Sequence, residues 1–322
     1  MIRKNDGAAK PRVGRWAALI LLAAVILAGA AWLTARLLAR ADCTPQAWEP
    51  AAYTEEQKVF AAMSLSFLVY GCEEHPEAAG TVSHILDTED MGIIRENADI
   101  TRTDRGDPTT AMIDSARFIR RTVGEYRLIA TRQDARSGFY GAAFADDAAQ
   151  TVWIAYAGSV TLPDAWQSVL MAVGPSLSRQ EREAFAFYEE MLKTPEMERG
   201  YRLRLTGHSL GGGLAAMVAR ASGGEAVTIS GADGLALQKI DAIRGEKQRG
   251  GTVSDYLTAS EGRPHSFRDL VQKLMFLGKK EGIDRHVYPP NGLTDDTHCV
   301  FAFVRFTDGD PDSPVLPEEI KE

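Results

Sequence analysis

One serine of this chain sits in a frame that could make it a nucleophile. Thr206-Gly207-His208-Ser209-Leu210-Gly211-Gly212-Gly213 contains Gly-x-Ser-x-Gly, the frame of a nucleophile elbow. Such a serine stands at a sharp strand-to-helix reversal. Gly207 and Gly211 leave room there, because a Cβ at either place would collide with the neighbouring element. The Leu210 amide, at the start of the following helix, can donate to an oxyanion. The chemistry these residues suit is acyl transfer through a covalent serine intermediate.

A serine hydroxyl needs a base to take its proton, and the base needs a group that orients it. In elbows of this kind the acid and then the histidine follow the serine in chain order. Of the six histidines, His75 and His84 precede the elbow, His208 lies inside it, and His265 and His286 fall in a polar stretch. His298, in Thr294-Asp295-Asp296-Thr297-His298 just before a final apolar run, is the candidate base. The acid should close the strand between the elbow and His298. Glu261 lies just beyond Val253–Thr258 and is best placed; Asp255, inside that strand, and Asp269, at a helix start, compete with it. A second oxyanion donor should come from the loop after the strand beside the elbow strand. Ala155-Tyr156-Ala157-Gly158-Ser159 ends such a strand, and Ser159 can offer both amide and hydroxyl.

The elements that must position these groups can be read from pattern. Tyr201–Thr206 alternates as a short strand before the serine, and 214–220 has helical composition after it. Tyr126–Thr131, Gly138–Ala145, Thr151–Ala157, Ala226–Ser230, Val253–Thr258 and Val300–Phe306 read as strands. Helices are expected at about 109–122, 164–171, 178–193, 235–243 and 267–277. A further helix opens at a Thr54/Gln57 capping box and ends at Gly71; Ser178 with Glu181 makes a second such box. The two helices before residue 125 are expected to pack on the main sheet, and 73–108 carries few strand signals. Alternating strands and helices imply a mostly parallel central sheet with helices on both faces; with the Gly-x-Ser-x-Gly elbow, the expected fold is that of an α/β-hydrolase.

The layout from about Gly138 to Phe303 resembles the lipase class 3 (fungal lipase-like) family of α/β-hydrolases. The residues that carry the resemblance are Gly-His-Ser-Leu-Gly-Gly at 207–212, and Ala157-Gly158-Ser159 followed by Asp164-Ala165-Trp166. The resemblance puts the nucleophile on Ser209, the histidine on His298 and an oxyanion residue on Ser159. Two positions depart from the family pattern. Ala157 stands where an arginine is usual, and Glu261, six residues after Asp255, falls where an aspartate is usual. The resemblance implies ester hydrolysis, with acyl lipids as substrates. The elbow alone implies a serine hydrolase, so a thioesterase, acyltransferase or peptidase on the same scaffold, or a non-catalytic surface protein retaining it, stays open.

Charge is distributed unevenly. Residues 1–40 hold seven basic side chains and one acidic, so in a chain of net charge −8 the remainder carries −14. That balance does not suggest nucleic-acid binding. Trp16–Ala35 is an uninterrupted apolar run behind Arg3, Lys4, Lys10, Arg12 and Arg15, long enough to span a bilayer with the N-terminus inside. The organisation expected is a basic cytoplasmic segment at 1–15, a transmembrane anchor (or long signal sequence) at 16–38 and a linker at 39–52. A helical region at 53–125 then packs on a hydrolase domain at 126–308, with an insertion at about 262–293 and an acidic, Pro-rich tail at 309–322. Cleavage at Ala39-Arg40-Ala41 would instead give a secreted domain. Cys43, Cys72 and Cys299 all follow the apolar run, where disulfides can form, and Cys43 with Cys72 is one possible pair. No zinc-like spacing is present, and no metal or organic cofactor is implied.

Overall fold

A computed structural model describes residues 53–74, 78–88, 115–158, 176–244, 250–258, 282–289, 300, 304–306 and 314–320. Helix α1 (Glu55–Glu74) opens at the expected capping box. The Thr54 amide donates to Gln57 Oε1 at 2.9 Å, and the Gln57 amide donates to Thr54 Oγ1 at 3.2 Å. The helix continues past Gly71 to Glu74. From Val59 to Val69 every residue is buried, which only a helix covered on all sides permits.

After α1 come β1 (Gly80–Thr81), α2 (Val82–Thr88), α3 (Ser115–Val123), β2 (Arg127–Asp134), β3 (Phe139–Asp146) and β4 (Thr151–Tyr156). Then follow α4 (Arg179–Met191), α5 (Pro195–Glu198), β5 (Arg202–His208), α6 (Leu210–Ser222), β6 (Glu225–Ile229), α7 (Asp233–Arg244), β7 (Thr252–Thr258) and β8 (Asp284–Tyr288). Strands β1 to β8 form one sheet in chain order. It is antiparallel from β1 to β4 and parallel from β4 to β8.

This strand order decides where the helices go. Right-handed crossovers between successive parallel neighbours return on the same side each time. Alternation along β4 shows the two faces. Trp153, Ala155 and Ala157 join the cluster around α1, whereas the Tyr156 hydroxyl donates to the Ala184 carbonyl of α4 at 3.0 Å. The sheet thus has helices on both faces, α1 on one and α4, α6 and α7 on the other. The Ser178/Glu181 capping box forms at α4, and Glu181 also takes Lys239 Nζ of α7 at 2.8 Å on each oxygen. Helix α3 rests on α1, where Phe60 and Phe118 meet edge-on at 5.4 Å.

Three stretches differ from the sequence expectation. Residues 80–88, in the segment with few strand signals, supply edge strand β1 and helix α2. Asp284–Tyr288, inside the expected insertion, is the eighth strand of the sheet. Its polar residues find tertiary partners: Arg285 lies opposite Asp255, and the His286 ring stacks on Tyr256 at 4.5 Å. Of the final strand expected at Val300–Phe306, Arg305–Phe306 (β9) pairs antiparallel with Pro314–Val315 (β10) in a separate two-stranded ribbon. The tail is tied back to the body. The Leu316 amide donates to Glu56 Oε1 at 3.1 Å, the Ile320 amide donates to the Val287 carbonyl at 2.7 Å, and Glu319 Oε2 lies 3.3 Å from His286 Nδ1.

The expected helices at 164–171 and 267–277 lie outside the described residues, as do residues 1–52. Among the described residues no helix is long and apolar enough to cross a membrane. Cys72 is a buried free thiol, its pKa pushed up to about 12 by burial. Cys43 and Cys299 lie outside the described residues.

Candidate active site

Strand β5 delivers Ser209 at its carboxyl end, and α6 begins one residue later. The backbone of Ser209 sits at φ 56°, ψ −123°, a conformation that costs an L-residue on the order of 1–3 kcal/mol. Three hydrogen bonds hold it there. Its amide donates to the Ile229 carbonyl at 3.3 Å, and its carbonyl accepts from the amides of Gly213 at 3.2 Å and Ala232 at 3.0 Å. The side chain makes no capping bond to α6, so the hydroxyl is not engaged by the helix it precedes. Ser209 is half-buried, and Leu210 is wholly buried.

Packing explains the flanking glycines. A Cβ at Gly207 would lie 2.4 Å from the Gly211 carbonyl carbon and 2.7 Å from the Gly212 nitrogen. One at Gly211 would lie 2.1 Å from the Tyr156 carbonyl oxygen. The first glycine lets α6 turn back against β5; the second lets α6 press on the end of β4. A side chain at either position would open the reversal that displays Ser209.

Gly158, at the end of β4, is enclosed in the same way. A Cβ there would stand 2.5 Å from the Tyr70 hydroxyl and 2.8 Å from the His208 carbonyl oxygen. The Gly158 amide donates to the Tyr70 hydroxyl at 3.0 Å, and that hydroxyl lies 3.4 Å from His208 Nδ1. In sequence, Tyr70 reads as one more apolar position of α1; nothing in its spacing shows that its hydroxyl reaches the loop after β4. Ser159, Glu261 and His298 lie outside the described residues, as does Asp269, so of the expected site Ser209 and Leu210 are placed.

The competing acid, Asp255, is described, and its carboxylate is fully buried. Its Oδ1 accepts from the Gly231 amide at 3.0 Å, and its Oδ2 lies 3.6 Å from Arg285 Nε. Thr228 Oγ1 stands 3.2 Å from Asp255 Oδ1 and 2.6 Å from Oδ2 of Asp233, the first residue of α7. The turn Ser230-Gly231-Ala232 is thereby fixed from both sides. The Ser230 amide donates to the Tyr256 carbonyl, Gly231 to Asp255, and Ala232 to Ser209. Asp255 thus supports the turn that backs the elbow.

Thr228 has one hydroxyl proton and two carboxyl neighbours, so a proton on Asp233 completes the pair. Burial, and then the charge of Asp255, raises Asp233 well above the carboxylate range. Burial likewise pushes Asp255 up to about 6, against the opposing Gly231 amide and Arg285. An unfolded aspartate ionises near ~3.9. Folding raises the Asp233 pKa, so its favourable contribution is complete below that pH and is lost as pH rises through the folded value. Asp233→Asn keeps a donor and removes the titration. Its melting temperature should exceed wild type at pH 8, by about 2–4 °C for each kcal/mol relieved, with the gap closing towards pH 4.5. A gap of constant size across that range in thermal melts would contradict the assignment.

Residues 121–260 match the family model described as Phospholipase-like: Tle-like phospholipase domain. No curated protein matches the sequence. Among solved structures the chain is similar to the native Rhizomucor miehei lipase propeptide complex, at 14% identity over 68% of this chain and 67% of that chain, with a TM-score of 0.38. It is similar also to a triacylglycerol lipase from Penicillium expansum, at 16% identity over 60% and 74% of the two chains, with a TM-score of 0.35. The stretch from β2 through the Ser209 elbow to the end of β7 thus lies within the part of the sequence that is phospholipase-like.

Proposed function

We propose that this chain is a serine hydrolase that cleaves carboxylic esters of acyl lipids. The observation that carries the reading is Ser209 at a positive φ between β5 and α6, its hydroxyl unused by the helix and the Leu210 amide beside it. The phospholipase-like match over residues 121–260 favours acyl lipids as the substrate class. In this reading Ser209 Oγ attacks the ester carbonyl while His298 takes its proton. The carbonyl oxygen becomes an oxyanion that the amides of Leu210 and Ser159 stabilise. His298 then returns the proton to the leaving alcohol, and Glu261 holds the imidazole in the required tautomer. Water, activated by the same histidine, cleaves the acyl-enzyme to release the fatty acid and free Ser209. No metal or organic cofactor takes part.

The apolar run Trp16–Ala35, with its basic N-terminal flank, supports a single-pass anchor that leaves the catalytic domain outside the membrane. A membrane-impermeant fluorophosphonate applied to intact cells tests both parts together. Labelling at Ser209 without lysis is the expected result. Labelling only after lysis would reverse the orientation, and failure to label in either state would remove the activated serine.

A further inference from the structure

We propose that Tyr70 is a positioning residue of the Ser209 site: its hydroxyl holds the Gly158 amide, at the end of β4, beside His208, the residue that precedes Ser209. This inference rests on the reading of Ser209 as the nucleophile.

The placement of Tyr70 follows from how α1 crosses the sheet. Ser66 Oγ lies 2.9 Å from Thr206 Oγ1, which is also 3.3 Å from the Ala62 carbonyl, so α1 runs along β5. Four residues on from Ser66, the same helix face presents Tyr70; two residues on from Thr206, the same strand face presents His208. Four helical residues rise about 6 Å, and two strand residues advance about 6.6 Å. The two advances match, which brings Tyr70 to the level of the elbow just as β5 ends.

Among the described residues, three elements meet at that hydroxyl. It takes the Gly158 amide from the end of β4, approaches His208 from the end of β5, and belongs to α1 itself. Gly158 is clamped between the Tyr70 hydroxyl and the His208 carbonyl with no room for a Cβ. The clamp thereby fixes the end of β4 against His208, which leads directly into Ser209 and the Leu210 amide. Oxyanion stabilisation depends on donors fixed in advance at the right distance, and a displacement of about 1 Å at such a site can cost roughly 100-fold in rate. Tyr70 lies outside the 121–260 stretch that matches the phospholipase-like family, so the site draws part of its geometry from the N-terminal helix.

The test compares two Tyr→Phe variants of the full chain. Tyr70→Phe keeps the ring and removes the hydroxyl from Gly158. Tyr140→Phe removes a hydroxyl that donates to the Cys72 carbonyl at 2.8 Å, anchoring the same end of α1 through a different partner. The readouts are kcat and KM for a short p-nitrophenyl ester, the rate constant of fluorophosphonate labelling, and thermal melts. Tyr70→Phe is expected to lower kcat and the labelling rate together by about 10- to 100-fold, with KM near wild type. Tyr140→Phe is expected to lower the melting temperature and leave both rates at wild type. Wild-type rates in Tyr70→Phe, or equal slowing in both variants, would overturn the role of Tyr70 while leaving Ser209 as nucleophile. A wild-type protein that the probe does not label would overturn the nucleophile and the Tyr70 role together.

Discussion

Ser209→Ala is expected to lower acyl-ester hydrolysis by on the order of 10⁶ and to abolish fluorophosphonate labelling, with the fold intact. The size of the loss follows from the chemistry, since without the Oγ no acyl-enzyme forms and only oxyanion stabilisation and binding remain. The intact fold follows from the backbone. Alanine has the same Cβ as serine, so the cost of φ 56° is unchanged by the substitution. The three bonds that hold the reversal run through main-chain atoms of Ser209, which alanine keeps. The serine hydroxyl makes no capping bond whose loss would loosen α6. Ester hydrolysis at the wild-type rate by a folded Ser209→Ala protein would end the nucleophile assignment.

Glu261→Gln should lower kcat by about 10⁴ with little change in KM, because an amide cannot stabilise the imidazolium and can fix the wrong tautomer. Asp255→Asn, made in parallel, should mainly lower the melting temperature. Asp255 is committed to the Gly231 amide, Thr228 and Arg285. An asparagine there keeps one acceptor for Gly231 and Thr228 but leaves the Arg285 guanidinium facing a neutral group. Single-turnover acylation above the histidine pKa, read beside thermal melts, separates the two roles. Rate loss in Asp255→Asn with none in Glu261→Gln would move the acid to Asp255. Rate loss in neither would leave Asp269 or a Ser-His dyad.

What was legible in the sequence was what local residues enforce. Gly207 and Gly211 signal the reversal because their contacts are with residues only a few positions away or on the adjacent strand. Thr54 with Gln57, and Ser178 with Glu181, signal helix starts because each box closes within four residues. The apolar runs at 139–145 and 151–156 signal strands because both of their faces are covered. Other features depend on partners distant in the chain. Asp284–Tyr288 has an unremarkable polar composition and becomes a strand through Asp255 and Tyr256. The raised Asp233 pKa comes from burial under the assembled sheet and then from Asp255 on another strand, and the Tyr70 contact arises because α1 advances in step with β5. The tail at 309–322 reads as acidic and Pro-rich, and its 314–320 stretch is docked by backbone bonds that composition does not show.

The position of α1 has a consequence for synthesis. This helix leaves the ribosome before the described strands of the sheet it will cover, and from Val59 to Val69 it is buried on every side. Its partners include Trp153, Val227 and Tyr256, so its burial is complete only after β7 has emerged. At about 5–20 residues per second that interval lasts roughly 10–40 s. Throughout it the nascent chain presents a hydrophobic rod without its partners. A segment of this kind is prone to wrong contacts with other nascent chains, and it is a natural client for a holding chaperone until the strands arrive.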